Sequence, residues 1–202
     1  MEKLDKSYLE KSVNYSEYRN LVRELIAQGK TSGPEQSELQ IKFTKLNEHR
    51  MHRLDKTVHI SNELAEVIQS LNKKWVWVIL VEAWCGDVAQ NIPVLQKISD
   101  LNKLITTHYL MRDENLPLMD QYLTNGGRAI PKLICYDGDT LMPLGEWGPR
   151  PAPAQQLMQT LKAHQPPLSF DEIHEPLHKW YAEDRSHTLQ KEIAVLAKTW
   201  ME

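Results

Sequence analysis

Trp75-Val76-Trp77-Val78-Ile79-Leu80-Val81 runs straight into Glu82-Ala83-Trp84-Cys85-Gly86-Asp87-Val88, and these residues decide the fold. The first seven are β-branched, aliphatic or aromatic, with no polar alternation. They predict a short strand buried on both faces. A helical pattern follows over residues 87–101, which leaves Cys85 at a strand-to-helix turn. There the first backbone N–H groups of a helix lack partners, and the helix dipole favours an anion. Such a setting stabilises a thiolate, the nucleophilic form of cysteine.

Working outward toward the C-terminus, residues 104–110 read as a second strand and 116–123 as a short helix. Gly126-Gly127 interrupts the chain before a third strand at 130–136. Asp137-Gly138 is a strong hairpin signal, leading to a fourth strand near 140–144. A helix over 151–163 completes the series. The order describes a parallel βαβ unit followed by ββα, an α/β sandwich of about four strands.

Toward the N-terminus the chain reads as helical. Tyr18, Leu21, Val22, Leu25 and Ile26 share one helix face, and Gly29 ends that helix. Ser37 with Gln40 has capping-box spacing and opens a second helix through Leu39, Phe43 and Leu46. Ser61 begins a third, with Leu64, Val67, Ile68 and Leu71 on one side. Pro166-Pro167 marks a boundary, after which residues 170–200 are helical again. The expected organisation is an N-terminal helical extension (1–57), an α/β domain (58–165) and a C-terminal helical extension (166–202).

The 202 residues are 41% hydrophobic and 25% charged, an ordinary globular composition. The longest apolar run is far short of the roughly 20 residues needed to span a membrane, and no secretory leader pattern opens the sequence. A cytoplasmic address without membrane partners is the expectation. Net charge is −3 with no basic stripe, which argues against nucleic acid. The two cysteines, Cys85 and Cys135, make no disulfide framework, and neither has a second Cys at metal-ligand spacing.

The segment around Cys85 resembles the thioredoxin active site, Trp-Cys-Gly-Pro-Cys, at the same point of the same fold. Pro93 lies eight residues on, where thioredoxins carry the proline of the active-site helix. Arg128-Ala129-Ile130-Pro131-Lys132-Leu133 is similar to the family's cis-proline segment, and Asp137-Gly138 and Gly145 follow as in its terminal ββα unit. The match covers about residues 71–164, and the flanks look like a bacterial thioredoxin-like subfamily with helical extensions. The resemblance implies a thioredoxin-like sandwich with added helices at both termini. It implies a reactive centre at Cys85 with Asp87, a substrate-binding surface of Trp84, Gly86, Ile130 and Pro131, a cis bond before Pro131, and no cofactor or metal.

Three departures bear on chemistry. Val88 stands where the second cysteine belongs, so no internal thiol can resolve a mixed disulfide. Asp87 replaces the motif's proline, and its charge raises the pKa of a neighbouring thiol. Ile79 occupies the place of a buried proton-transferring aspartate. The leading expectation is a redox protein using Cys85 as a single nucleophile on protein disulfides or small thiols. The alternative is a non-catalytic binding module holding a partner segment in the groove near Trp84 and Pro131.

Other candidates read as ordinary. Cys135, four residues along its strand from Pro131, is expected to be inert packing. Arg128 could steer anionic thiols such as glutathione, but a solvated loop arginine is the simpler reading. His174-Glu175-Pro176-Leu177-His178 matches HExxH, yet Pro176 is expected to break the helix that motif needs. Gly29-Lys30-Thr31-Ser32 lacks the strand and first glycine of a P-loop. His49 and His52 have no third metal ligand nearby in sequence.

Overall fold

Strand β1 (Trp75–Val81) is buried along its whole length, in keeping with its unbroken apolar sequence. It is central in a four-stranded sheet of order β2-β1-β3-β4, with β2 (Ile105–Met111) parallel to it. β3 (Lys132–Asp137) and β4 (Pro143–Trp147) are antiparallel. The computed structural model describes residues 2–202 and is a thioredoxin-like α/β sandwich with helices added around it.

Four helices precede the sheet: α1 (Lys6–Lys11), α2 (Tyr15–Ala27), α3 (Glu38–Thr57) and α4 (Asn62–Gln69). α5 (Gly86–Ser99) crosses from β1 to β2 and contains Pro93, and the four-residue α6 (Leu116–Met119) follows β2. Three more follow the hairpin: α7 (Ala152–Lys162), α8 (Phe170–Asp184) and α9 (His187–Met201). At the edge of β2, Val13 exchanges both backbone hydrogen bonds with Tyr109 and so covers that edge at one point.

Two boundaries differ from the sequence expectation. The hairpin is no two-residue turn, because the Asp137 carboxylate captures the amides of Asp139 and Thr140 and the Thr140 hydroxyl. This local side-chain capture makes a five-residue loop, and β4 starts three positions later than the pattern suggested. The C-terminal helical stretch is also two helices, since Arg185 and Ser186 both lie in the left-handed region, at φ 50° and 64°.

The helix after the hairpin does not join the main core. Ala154 and Met158 of α7 pack instead with Leu177 and Tyr181 of α8 in a satellite cluster. α9 fills the main core, through Leu189, Ile193, Ala197 and Trp200. The Trp200 ring meets Trp75 and Trp77 edge-on, at 5.8 and 6.5 Å between centroids. Its indole nitrogen lies 2.1 Å from where a side chain on Gly145 would begin, so the glycine is required by close approach. Full burial of one such side chain contributes roughly 1.5–3 kcal/mol, which makes α9 integral to the core.

Candidate functional site

The turn carrying Cys85 is held from below by a buried carboxylate. Glu82, fully buried after β1, accepts from the Ser32 hydroxyl and, at 2.9 Å, from the Asp113 amide. Ser32 Oγ accepts from the Ala83 amide at 2.7 Å, and Asn47 of α3 donates to the Ala83 carbonyl at 2.9 Å. The N-terminal extension thus fixes the turn's backbone. Nothing local in the sequence marked Glu82, Ser32 or Asn47 for this work.

Cys85 is the N-cap residue of α5 and is 8% exposed. Its thiol donates to the Ile130 carbonyl at 3.4 Å, and the Ile130–Pro131 bond is cis. Cys85, Ile130 and Pro131 therefore come together as the sequence suggested. Burial pushes the thiol up to about 12, with the Asp87 charge adding to the effect. The amides of Val88 and Asp87 and the Arg150 charge pull it down, without overcoming burial. The thiolate expected from the helix terminus alone is thus opposed by a closed environment, built from segments far away in the chain.

Asp87 is also buried, and both its oxygens are engaged. Oδ2 pairs with Arg150 Nη2 at 2.6 Å, and Oδ1 accepts from the Tyr181 hydroxyl at 2.8 Å. Asn91 donates to that same hydroxyl and to the Asp87 carbonyl. Burial raises the Asp87 carboxyl, against the pull of Arg150 and Tyr181. Arg150 reaches α5 because Gly148, at φ 122°, lets the chain pass against the Pro131 carbonyl. A Cβ there would lie 2.2 Å from that oxygen. Glu192 of α9 accepts from the Trp147 indole and the Ala152 amide, clamping both ends of the Arg150 loop.

The helix of the His174–His178 motif runs unbroken through Pro176, contrary to the expected break. One lost hydrogen bond to the Glu172 carbonyl is outweighed by the packing of Leu177 and Tyr181 against α7 and by the Tyr181 hydrogen bond to α5. Both histidines consequently share a face, with ring centroids 6.4 Å apart, and both line the cleft above Cys85. Among the described residues no group of three or more His, Cys, Asp or Glu side chains is placed to hold a metal. His49 and His52 are exposed on α3.

That cleft has a volume of about 330 Å³. Its walls are Leu39, Phe43 and Arg50 of α3, the Trp84–Asp87 turn, Arg150, and Phe170, His174 and His178 of α8. Gly86 is the point of closest approach: a methyl there would meet His178 Cε1 at 3.3 Å and Arg50 Nη1 at 3.4 Å. Trp84 is half-buried, with the Arg112 guanidinium 5.0 Å over its ring. Arg128 is held by the Asp120 carboxylate through bonds of 2.6 and 2.9 Å and does not line the cleft. A larger cleft, about 570 Å³, lies behind Tyr181 between α3, α8 and α9 and does not reach Cys85. Cys135 is fully buried in β3 opposite Trp77 and Gly145, and burial raises its thiol.

A thioredoxin family model matches residues 33–162 of the chain. Among solved structures, a protein of unknown function from Pseudomonas aeruginosa superposes with a TM-score of 0.63 at 14% identity, covering 98% of both chains. An HIV epitope-scaffold superposes with a TM-score of 0.54 at 16% identity, covering 92% of this chain and 98% of its own. These likenesses establish a shared fold. No curated protein matches the sequence.

Proposed function

Because the chain belongs to the thioredoxin family, we propose that Cys85 acts as a single nucleophile in thiol–disulfide exchange, capturing small thiols as mixed disulfides and holding them. The observation that carries this reading is the position of Cys85, on the wall of a cleft of about 330 Å³ bounded by α3 and α8. That volume falls at the small-ligand end of binding pockets. Helix α8 stands against Gly86, so the approach suits a small molecule better than a protein segment.

The chemistry is balanced without a second cysteine. The Cys85 thiol loses its proton to solvent, and the thiolate attacks one sulfur of R–S–S–R′. The Cys85–S–S–R bond forms as the old sulfur–sulfur bond breaks, and R′S⁻ leaves with the bonding pair and takes up a proton. With Val88 in the place of a resolving thiol, release requires an external thiol.

The raised thiol sets the tempo. Burial leaves far less thiolate at neutral pH than an ordinary cysteine has. The greater nucleophilicity of each thiolate offsets this only in part, at a Brønsted slope of about 0.4–0.5, so net capture is slow. The same high value makes Cys85 a poor leaving group, which favours retention once the mixed disulfide has formed. These features support capture and holding over rapid turnover.

A second reading rests on Asp87. Both of its oxygens are held by Arg150 and Tyr181, which fixes the carboxylate in a structural ion pair within the wall of the cleft. On that reading the cleft binds its ligand without chemistry. Intact-mass measurement after incubation with bis(2-hydroxyethyl) disulfide separates the two. Exchange gives one adduct, absent from Cys85→Ser, stable to dilution and released slowly when a free thiol is added. An unmodified wild-type protein after prolonged incubation would leave the non-covalent reading.

A further inference from the structure

The cleft holds a guanidinium, Arg50, that has no ion-pair partner among the described residues. Arg50 Nη1 donates to Asn47 Oδ1 at 3.0 Å. Arg150 is matched by Asp87, and Glu35 is exposed at the rim. His178 faces the same space as a neutral ring, because burial and the nearby Arg50 charge push it down to about 4. A partly buried guanidinium without a counter-ion is costly unless an anion joins it.

Arg50 and His178 meet beside the Cys85 turn, where Arg50 Nη1 and His178 Cε1 lie 3.4 and 3.3 Å from the position a Cβ on Gly86 would take. Opposite them, Phe43 and Phe170 lie 5.2 Å apart between centroids, and His174 stacks on Phe170 at 3.7 Å, forming an apolar wall. The space is therefore cationic on one side and hydrocarbon-like on the other.

We infer that the cleft selects small aliphatic thiols or disulfides bearing a carboxylate, with Arg50 as the anion anchor beside Cys85. The inference rests on the small-molecule reading above and adds the ligand's charge. The planar guanidinium fork matches a carboxylate in two parallel hydrogen bonds, which an amine or hydroxyl cannot reproduce. Phe43 and Phe170 flank the aliphatic chain that joins the carboxylate to the sulfur.

Three disulfides of matched length test this: 3,3′-dithiodipropionate, bis(2-hydroxyethyl) disulfide and cystamine, which are anionic, neutral and cationic. Each rate of adduct formation on Cys85 is divided by the rate for a free small thiol, to remove intrinsic reactivity. The anionic compound should exceed the neutral one by about tenfold, as for a charge-assisted hydrogen bond, with cystamine slowest. Arg50→Gln should bring the anionic-to-neutral ratio close to one, and Arg128→Gln, remote from the cleft, should preserve it. Equal normalised rates for all three compounds in the wild type would overturn the anion site while leaving exchange intact. If none reacts, exchange fails, and calorimetric binding to Cys85→Ser decides the anion site alone. Tighter binding of dithiodipropionate than of the neutral compound supports it, and equal or absent binding refutes it.

Discussion

The Tyr181 hydroxyl donates a 2.8 Å hydrogen bond to Asp87 Oδ1, joining α8 to the first turn of α5 across 94 positions of sequence. The bond ties the C-terminal helices to the residue after Gly86, and through Asp87 to Arg150. It is one of the contacts by which distant segments close the environment of Cys85.

Replacing Tyr181 with Phe keeps the ring and deletes that donor. A hydrogen bond to a charged group contributes about 1.5–3 kcal/mol, and the buried carboxylate would be left short of one partner. We expect a loss of about 2 kcal/mol in urea unfolding. A midpoint unchanged from wild type would show that Asp87 does not depend on Tyr181.

Asp87→Asn removes the second-largest influence raising the Cys85 thiol and leaves the Arg150 charge beside it. The pH profile of alkylation at Cys85 should shift downward while staying above that of an ordinary cysteine, because burial, the largest cause, remains. An unshifted profile in the folded variant would mean that the two groups are electrostatically uncoupled.

His178 supplies a pH dependence of stability. The folded ring protonates only near 4, whereas an unfolded histidine does so near 6.5. Between those values the unfolded chain binds more protons, so stability falls as pH drops from 6.5 to 4 and is complete above that window. His178→Gln should flatten the profile in that interval, measured by denaturant midpoints at half-unit steps. A wild-type curve that is level there would contradict the depressed value.

Oxidation should never join Cys85 to Cys135. Cys135 pairs with Trp77, four residues before the end of β1, or about 13 Å along the strand. A disulfide needs Cα atoms within about 7 Å. Peptide mapping of the oxidised monomer should find no internal bridge, and Val88→Cys should create one with Cys85. An internal Cys85–Cys135 bridge in the wild type would refute this placement.

Gly145→Ala should be among the costliest single-atom changes, since its methyl would begin 2.1 Å from the Trp200 indole nitrogen. Overpacking of this kind costs about 1–3 kcal/mol. Thermal unfolding reads it directly, and in combination with Trp200→Leu, which makes room, the total loss should be less than the sum of the two separate losses.

What the sequence disclosed was local. The apolar run of β1, the turn at Cys85 and the helix after it depend on neighbours within a few residues, and the sheet follows from their order. The burial of Cys85 does not: it is made by Ile130, Arg150 and α8, whose approach leaves no periodic mark near residue 85. His174 and His178 had the spacing of one helix face, and only the weight given to Pro176 hid it. The packing of Leu177 and Tyr181 outweighs that proline. Arg50 offered no signal, because an unpaired cation is recognisable only once its surroundings are known.

The docking of Trp200 against Trp75 and Trp77 has a consequence for synthesis on the ribosome. β1 is finished at Val81, yet one face of it waits for a tryptophan more than a hundred positions further on. At about 5–20 residues per second, that face stays uncovered for roughly 5–25 s in each nascent chain. During that interval two indoles and the neighbouring strand are open to holdase chaperones and to other nascent chains. The pace of translation from the end of β1 to the end of α9 therefore governs how long each molecule is exposed to aggregation, independently of how stable the finished fold becomes.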